Sequence, residues 1–279
     1  MTLACAVRDC ARPLARGDRT WSCSAGHVYD IAQSGYVNLL QPQDRKSASA
    51  GDSKGAVDAR ARLLARGVGR ALVDDVVRRA AALAGADQSG RQVVVDLGCG
   101  SGETLGALSA MCPVEAIGID LSAAAVDRAA RRFPSPTWVA ANADRRLPLL
   151  DHCAAIVLSV NGRRNPAECA RVLKPGGCLL VAIPAPDDLV ELRERVQGAG
   201  VERDRSEGLL REHAPFFALR ERGVVRGRLR LDRDDLNDLL LGTYRGQRHS
   251  ASAQAATLDA LDVTLASDLF VLTSGRGAR

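Results

Sequence analysis

The stretch VVVDLGCGSGETL, residues 93–105, decides the fold. Its β-branched run reads as a short buried strand, and the pattern turns helical from about Glu103. Between the two lie Asp96 and the alternating glycines Gly98, Gly100 and Gly102. Glycines at a strand-to-helix turn let the backbone approach a ligand closely and adopt conformations that a Cβ would forbid. About twenty residues later, Asp120 closes the run AIGID, from which a carboxylate can accept hydrogen bonds from both ribose hydroxyls. Together they describe an adenosine-type site.

Working outward, short apolar runs alternate with helical patterns: a helix from Ser122, TWVAA, AAIVLSV, a helix near Pro166, and CLLVAIP. That alternation predicts an α/β fold with a doubly wound, mostly parallel sheet. Upstream, Leu63, Leu64, Val68, Leu72, Val76 and Val77 recur at helical spacing, with a break between two helices at Gly67 and Gly69. Downstream, a charged helix is expected around 187–196, an alternating strand over 224–231, a helix over 232–241 and a strand over 262–273. The polar stretch QPQDRKSASAGDSKG, 41–55, reads as a mobile connection. These divisions predict a compact, loop-rich module over 1–40, a linker and lead-in helices over 41–90, and a larger domain over 91–279.

Composition narrows the class. With 46% apolar residues in 279, a disordered chain is excluded, and 38 Lys plus Arg against 33 Asp plus Glu favours a polyanionic partner weakly. No apolar run approaches the ~18 residues of a membrane span, and Arg8 and Asp9 interrupt the place where a signal peptide needs its apolar segment. A cytoplasmic protein with no membrane partner is expected. Its eight cysteines are then read as metal ligands, buried small side chains or thiols before disulfides.

Cys5, Cys10, Cys23 and His27 have the spacing C-x4-C-x12-C-x3-H, and four such ligands close a tetrahedral zinc shell with no open position. A structural Zn2+ is expected there, substituting for the core that a forty-residue module cannot build. Cys112, Cys153, Cys169 and Cys178 fall in periodic patterns and are expected in the core. Cys99 lies among glycines and carboxylates that would not lower a thiol pKa, so it is not read as a nucleophile. Trp21, Tyr29 and Tyr36 serve either as the module's small core or as a base-stacking surface.

The glycine loop, the Asp120 strand and LKPGG at 173–177 together resemble the Rossmann-like class I methyltransferases that use S-adenosyl-L-methionine, over roughly 93–184. That resemblance implies that Asp96, Gly98, Gly100 and Gly102 surround the methionine part, Asp120 holds the ribose and Leu121 flanks the adenine. In NADRRLP, 142–148, Asn142 and the backbone of Ala143 would recognise the adenine edge, with Asp144 as competitor; either side chain is otherwise a turn or helix cap.

GHVYDIAQSGYVNLL (26–40), GDS (51–53) and DARARLLARG (58–67), placed before such a core, resemble the large-subunit ribosomal RNA guanine-N1 methyltransferases. Those enzymes modify one guanine in a 23S rRNA hairpin, and some confer resistance to macrolides such as tylosin. The resemblance implies the same hairpin as partner and leaves a homodimer open. This chain departs from the family in the x4 spacing of its first ligand pair, in VNGRRNP at 160–166 and in GTYRGQ at 242–247. A small-molecule methyltransferase and a non-catalytic RNA-binding paralogue are the rival readings.

Methyl transfer to guanine N1 needs in-line alignment and a base for the N1 proton, which no spacing singles out. Asn161, Arg163 and Arg164 stand where a doubly wound sheet places its substrate crevice: Asn161 to orient the base, the arginines to bind phosphate or O6. The alternative is a capped, solvated helix start. Arg226, Arg228 and Arg230 alternate on one strand face, as a track for phosphates or as a charged sheet edge.

Overall fold

A computed structural model describes residues 2–42, 51–86, 90–197, 200, 204–242 and 258–275. The greater part of the polar connection, 43–50, and all but the first residue of GTYRGQ lie outside them.

The chain opens with β1 (Leu14–Arg16), β2 (Thr20–Cys23), β3 (Val28–Asp30) and β4 (Val37–Asn38). Two helices follow, α1 (Lys54–Ala65) and α2 (Arg70–Gly85). Ser53 caps α1 by accepting from the Ala56 amide at 3.2 Å, and left-handed Gly67 and Gly69 make the expected break. The alternating core runs β5 (Val93–Leu97), α3 (Glu103–Met111), β6 (Glu115–Asp120), α4 (Ala123–Arg132), β7 (Thr137–Ala140), β8 (Ala154–Val160), α5 (Pro166–Val172) and β9 (Leu173–Pro184). It ends with α6 (Val190–Gln197), α7 (Ser206–His213), β10 (Phe217–Asp232), α8 (Arg233–Gly242) and β11 (Ala260–Ser274).

Among the described residues, eight strands form one sheet in the order β10-β11-β9-β8-β5-β6-β7-β4. β11 is antiparallel to both neighbours, while the pairings from β9 to β4 are parallel. The doubly wound expectation holds. Strand order reverses between β5 and β8, so a crevice opens at their carboxyl ends, where Gly98 and Gly162 lie. No described helix is long and apolar enough to cross a membrane.

Three features differ from the sequence reading. β10 starts at Phe217, because β11 pairs with it from Ser274 through to Ala260; the stretch before Val224 lacks alternation since most of this edge strand is exposed on both faces. α7 was not anticipated. The N-terminal module is also not held by metal alone: β4 adds to the main sheet beside β7, and Leu3, Leu14, Val37 and Leu39 join the central apolar cluster. A short chain segment gains more by burying these side chains in the large core than by building its own.

The arginine row lies on the outer strand β10, where Arg226 pairs with Asp187 at 3.0 Å and Arg230 with Asp262 at 3.3 Å. These ion pairs fit the charged sheet edge rather than a set of cations aligned for phosphate.

Trp138 of β7 is 1% exposed and occupies space that two glycines leave open. A Cβ on Gly118 would lie 2.3 Å from Trp138 Cζ3, and one on Gly102 2.5 Å from its Cη2. The indole Nε1 donates to the Phe133 carbonyl at 2.7 Å, so the ring cannot swing aside without leaving a buried donor unpaired. Gly118→Ala is therefore expected to destabilise the fold by about 1–3 kcal/mol in urea unfolding; an unchanged midpoint at equal m would contradict this packing.

Candidate active site and metal centre

The glycine turn is pinned to the neighbouring strand before any ligand is considered. Gly98 N and Cys99 N both donate to the Ile119 carbonyl, at 2.8 and 3.1 Å. Gly98 and Gly100 have φ of +76° and +54°, in the left-handed region that favours glycine. A Cβ on Gly162 would stand 2.5 Å from the Leu97 carbonyl oxygen, so the connection after β8 crosses directly over the end of β5. Gly102 is left-handed as well, with φ of +86°, and its missing Cβ makes room for Trp138 and Ala129 inside the protein.

The two expected carboxylates lie side by side. Asp120 Oδ2 accepts from the Gly100 amide at 2.9 Å and Oδ1 from the Ser122 amide at 2.8 Å. Burial raises the Asp120 carboxyl, and those two amides oppose the shift. Asp96 is 2% exposed, and its Oδ1 has no hydrogen-bond partner. Burial, and then the charge of Asp120, push it up to about 7. An unsatisfied buried acceptor is costly unless a ligand supplies the missing donor. S-adenosyl-L-methionine carries an ammonium, a sulfonium and two ribose hydroxyls, so its chemistry fits this acidic cradle. Burial raises the Cys99 thiol well above its ordinary value, in agreement with the unreactive reading.

Residues 51–53 border the same place. A Cβ on Gly51 would come within 2.7 Å of Ser122 N and 2.9 Å of the Leu121 carbonyl carbon. Ser122 Oγ donates to the Asp52 carbonyl at 2.8 Å, and Asp52 is ion-paired to Arg60. Sequence reasoning noted GDS only as part of a resemblance; its contact with the acidic cradle spans 70 positions and left no local signal.

Asn142 Oδ1 accepts from the Asp144 amide at 2.9 Å, which makes it a turn residue as well as a candidate adenine contact. Ala143 is half-buried beside it. Arg163 is 86% exposed in its side chain and pairs with Asp144 at 3.0 Å, which ties the connections after β7 and β8 together. Asn161 has φ of +53°, its amide donates to the Ala182 carbonyl at 2.9 Å, and with Gly162 and Arg164 it lines a cavity of about 590 Å³. The opposite wall is α7, which sequence reasoning missed.

The ligand set also converges. The donor atoms of Cys5, Cys10, Cys23 and His27 all lie within 4.8 Å of one another. Cys5 Sγ and Cys23 Sγ are 3.4 and 3.5 Å from His27 Nδ1, and Cys10 Sγ is 3.9 Å from Cys23 Sγ. Tetrahedral bonds of about 2.0–2.3 Å to zinc require edges of about this length. Burial works against a Cys23 thiolate, but the amides of Ala25 and His27 together with the thiols of Cys10 and Cys5 outweigh it and bring the thiol down to about 6, toward the form that binds metal. Tyr29 takes the core role weighed for it: its hydroxyl accepts from the Ala6 amide at 3.2 Å and packs beside Cys5. Of the expected core cysteines, Cys169 and Cys178 are buried and Cys112 and Cys153 half-buried.

Cys23→Ser is expected to lower zinc below one equivalent by elemental analysis and to expose residues 2–42 to protease. Full zinc content in that variant would remove Cys23 from the shell.

Residues 94–177 match the family described as a methyltransferase domain, and residues 4–48 match the family described as RlmA, N-terminal, a zinc ribbon. The 23S rRNA (guanine(748)-N(1))-methyltransferase of Streptomyces fradiae is 41% identical over 81% of this chain and 80% of its own length. A relative from Micromonospora griseorubida, assigned to the same guanine-N1 class, is 36% identical over 70% of this chain and 69% of its own. Among solved structures, YcgJ of Bacillus subtilis superposes with a TM-score of 0.52 at 20% identity, covering 73% of this chain and all of its own, which shows the shared fold. The cyclase SpnF superposes with a TM-score of 0.51 at 20% identity over 76% of this chain and 83% of its own, so the fold by itself does not specify the reaction. With a zinc ribbon, a methyltransferase domain and these relatives, the chain belongs to the 23S rRNA (guanine-N1)-methyltransferase family.

Proposed function

We propose that this chain transfers a methyl group from S-adenosyl-L-methionine to N1 of a guanine in a 23S rRNA hairpin. The observation that carries the reading is the unpartnered, buried carboxylate of Asp96 next to Asp120, beneath a glycine turn at the switch point of the sheet. Bound there, S-adenosyl-L-methionine supplies an electrophilic methyl on sulfur. In this reading Asp96, Gly98, Gly100 and Gly102 hold its methionine part, Asp120 the ribose, and Leu121, Asn142 and Ala143 the adenine. Gly102 supports the turn from below.

Opposite them, Asn161 orients the base and Arg163 and Arg164 meet phosphate or O6. The protein's task is alignment: the nucleophilic nitrogen must face the methyl in line, in a site where water is displaced. Cys5, Cys10, Cys23 and His27 hold a structural zinc ion that keeps the N-terminal strands in place for RNA. Domain limits near 40 and 90 follow from the same reading, with β4 anchoring the module to the catalytic sheet.

Incubation of the protein with labelled S-adenosyl-L-methionine and unmodified 23S rRNA, followed by nucleoside mass analysis, is expected to yield 1-methylguanosine; a methylated product other than that would reject the reading. Asp120→Ala should weaken S-adenosyl-L-methionine binding at least ~tenfold by calorimetry, through loss of charge-assisted hydrogen bonds to the ribose. The Asp96 carboxyl, raised to about 7, is ionised above that pH and protonated below it. The affinity advantage of wild type over Asp96→Asn should accordingly shrink about tenfold from pH 8 to pH 6. A ratio independent of pH would place the ammonium elsewhere.

A further inference from the structure

The cavity beside Asn161 is walled by the ends of β8 and β9 on one side and by α7 on the other. Arg164 lines its sheet side, and Asp204, Glu207 and Glu212 line its helix side together with Arg205 and Arg211. Arg164 is held by uncharged partners. Its Nε donates to His213 Nε2 at 3.2 Å and its Nη1 to the Gly162 carbonyl at 3.2 Å. Neither partner is a carboxylate. A guanidinium has five N–H groups, so three have no acceptor among the described residues. Burial holds Arg164 below its ordinary value, with the charge of Glu212 opposing.

His213 is 1% exposed, and its Nδ1 lies 2.8 Å from the Leu209 carbonyl. That carbonyl can only accept, so Nδ1 carries the proton and Nε2 is left as the acceptor for Arg164. Burial lowers the imidazole from its usual value and keeps it neutral. Glu212 of its own helix and Arg164 from the β8–α5 connection are the charged groups acting on it, and the ring of Phe217 in β10 lies 6.1 Å away.

Building on the guanine-N1 reading above, we propose that Arg164 donates to O6 of the target guanine and thereby selects guanine over adenine, with His213 positioning its guanidinium. The Watson–Crick edge of guanine presents one acceptor, O6, and the donors N1–H and N2–H2. The cavity offers both halves of the complement: the Arg164 guanidinium on the sheet wall, and carboxylate acceptors interspersed with Arg205 and Arg211 on the helix wall. Adenine would point an amino group at Arg164, donor against donor. A base turned out of its stack is commonly read by hydrogen bonds to this edge.

The test uses the full chain, unmodified 23S rRNA and labelled S-adenosyl-L-methionine, with the modified guanine mapped first on the wild type. Arg164→Lys is expected to lose at least ~30-fold in kcat/KM while its affinity for S-adenosyl-L-methionine stays within twofold, which also shows that it folds. Replacing the target guanine by 6-thioguanine, a weak acceptor at that position, should impair the wild type and leave Arg164→Lys nearly unaffected. His213→Leu should lower kcat about tenfold with S-adenosyl-L-methionine affinity unchanged, and His213→Gln, which keeps both a donor and an acceptor, should restore most of it. Arg164→Lys within threefold of wild type, or equal effects of the thio substitution on both enzymes, overturns the assignment while the guanine-N1 activity stands. Absence of 1-methylguanosine with the wild type overturns that activity and the assignment with it.

Discussion

The indole of Trp138 sets the height of the glycine turn above the sheet. It lies against Gly118 of β6 and Gly102 at the head of α3, and its Nε1 is anchored to the Phe133 carbonyl. A smaller side chain would leave a void that the turn could sink into, and a Cβ at either glycine would force the turn or the ring away. Because the Gly98 and Cys99 amides share the Ile119 carbonyl, the same packing fixes where Gly100 meets Asp120. The acidic cradle is thus a consequence of core packing one layer below it.

Elements distant in the chain then close around that cradle. α1 is joined to α8 by Arg62 and Arg66, which both reach the 6% exposed Asp238 at 2.5 and 2.7 Å. Asp58 ties α1 to α4 through Arg128 at 2.7 Å. A buried carboxylate shared by two guanidinium groups fixes orientation even where its net contribution to stability is small. The result holds Ser53 and its preceding residues beside Leu121 and Ser122. On the other flank, β4 carries the zinc ribbon onto the edge of the catalytic sheet, so the metal centre and the glycine turn share one rigid scaffold.

The substrate side has a different logic. Arg163 is exposed and already paired with Asp144, whereas Arg164 is drawn inward by neutral His213. Two adjacent arginines in one sequence motif therefore present different electrostatics, one solvated and neutralised, the other partly desolvated with hydrogen-bonding capacity to spare. Nothing in the pattern RRNP distinguishes them.

Residues 93–105, the Asp120 strand and the C-x4-C-x12-C-x3-H spacing made the sheet, the glycine turn beside its carboxylates and the Cys/His cluster legible, because each depends on short-range geometry: a turn that needs glycine, a strand that ends in a carboxylate, paired side chains on tight loops. The remainder depended on contacts between distant residues. That Gly102 answers to Trp138, that GDS lies against Ser122, that the N-terminal module borrows the central core and that α7 faces Asn161 are all consequences of which surfaces meet once the sheet is wound. Local pattern records the conformation of a segment; it carries no record of which partner fills the space beside it, and only tertiary packing decides that.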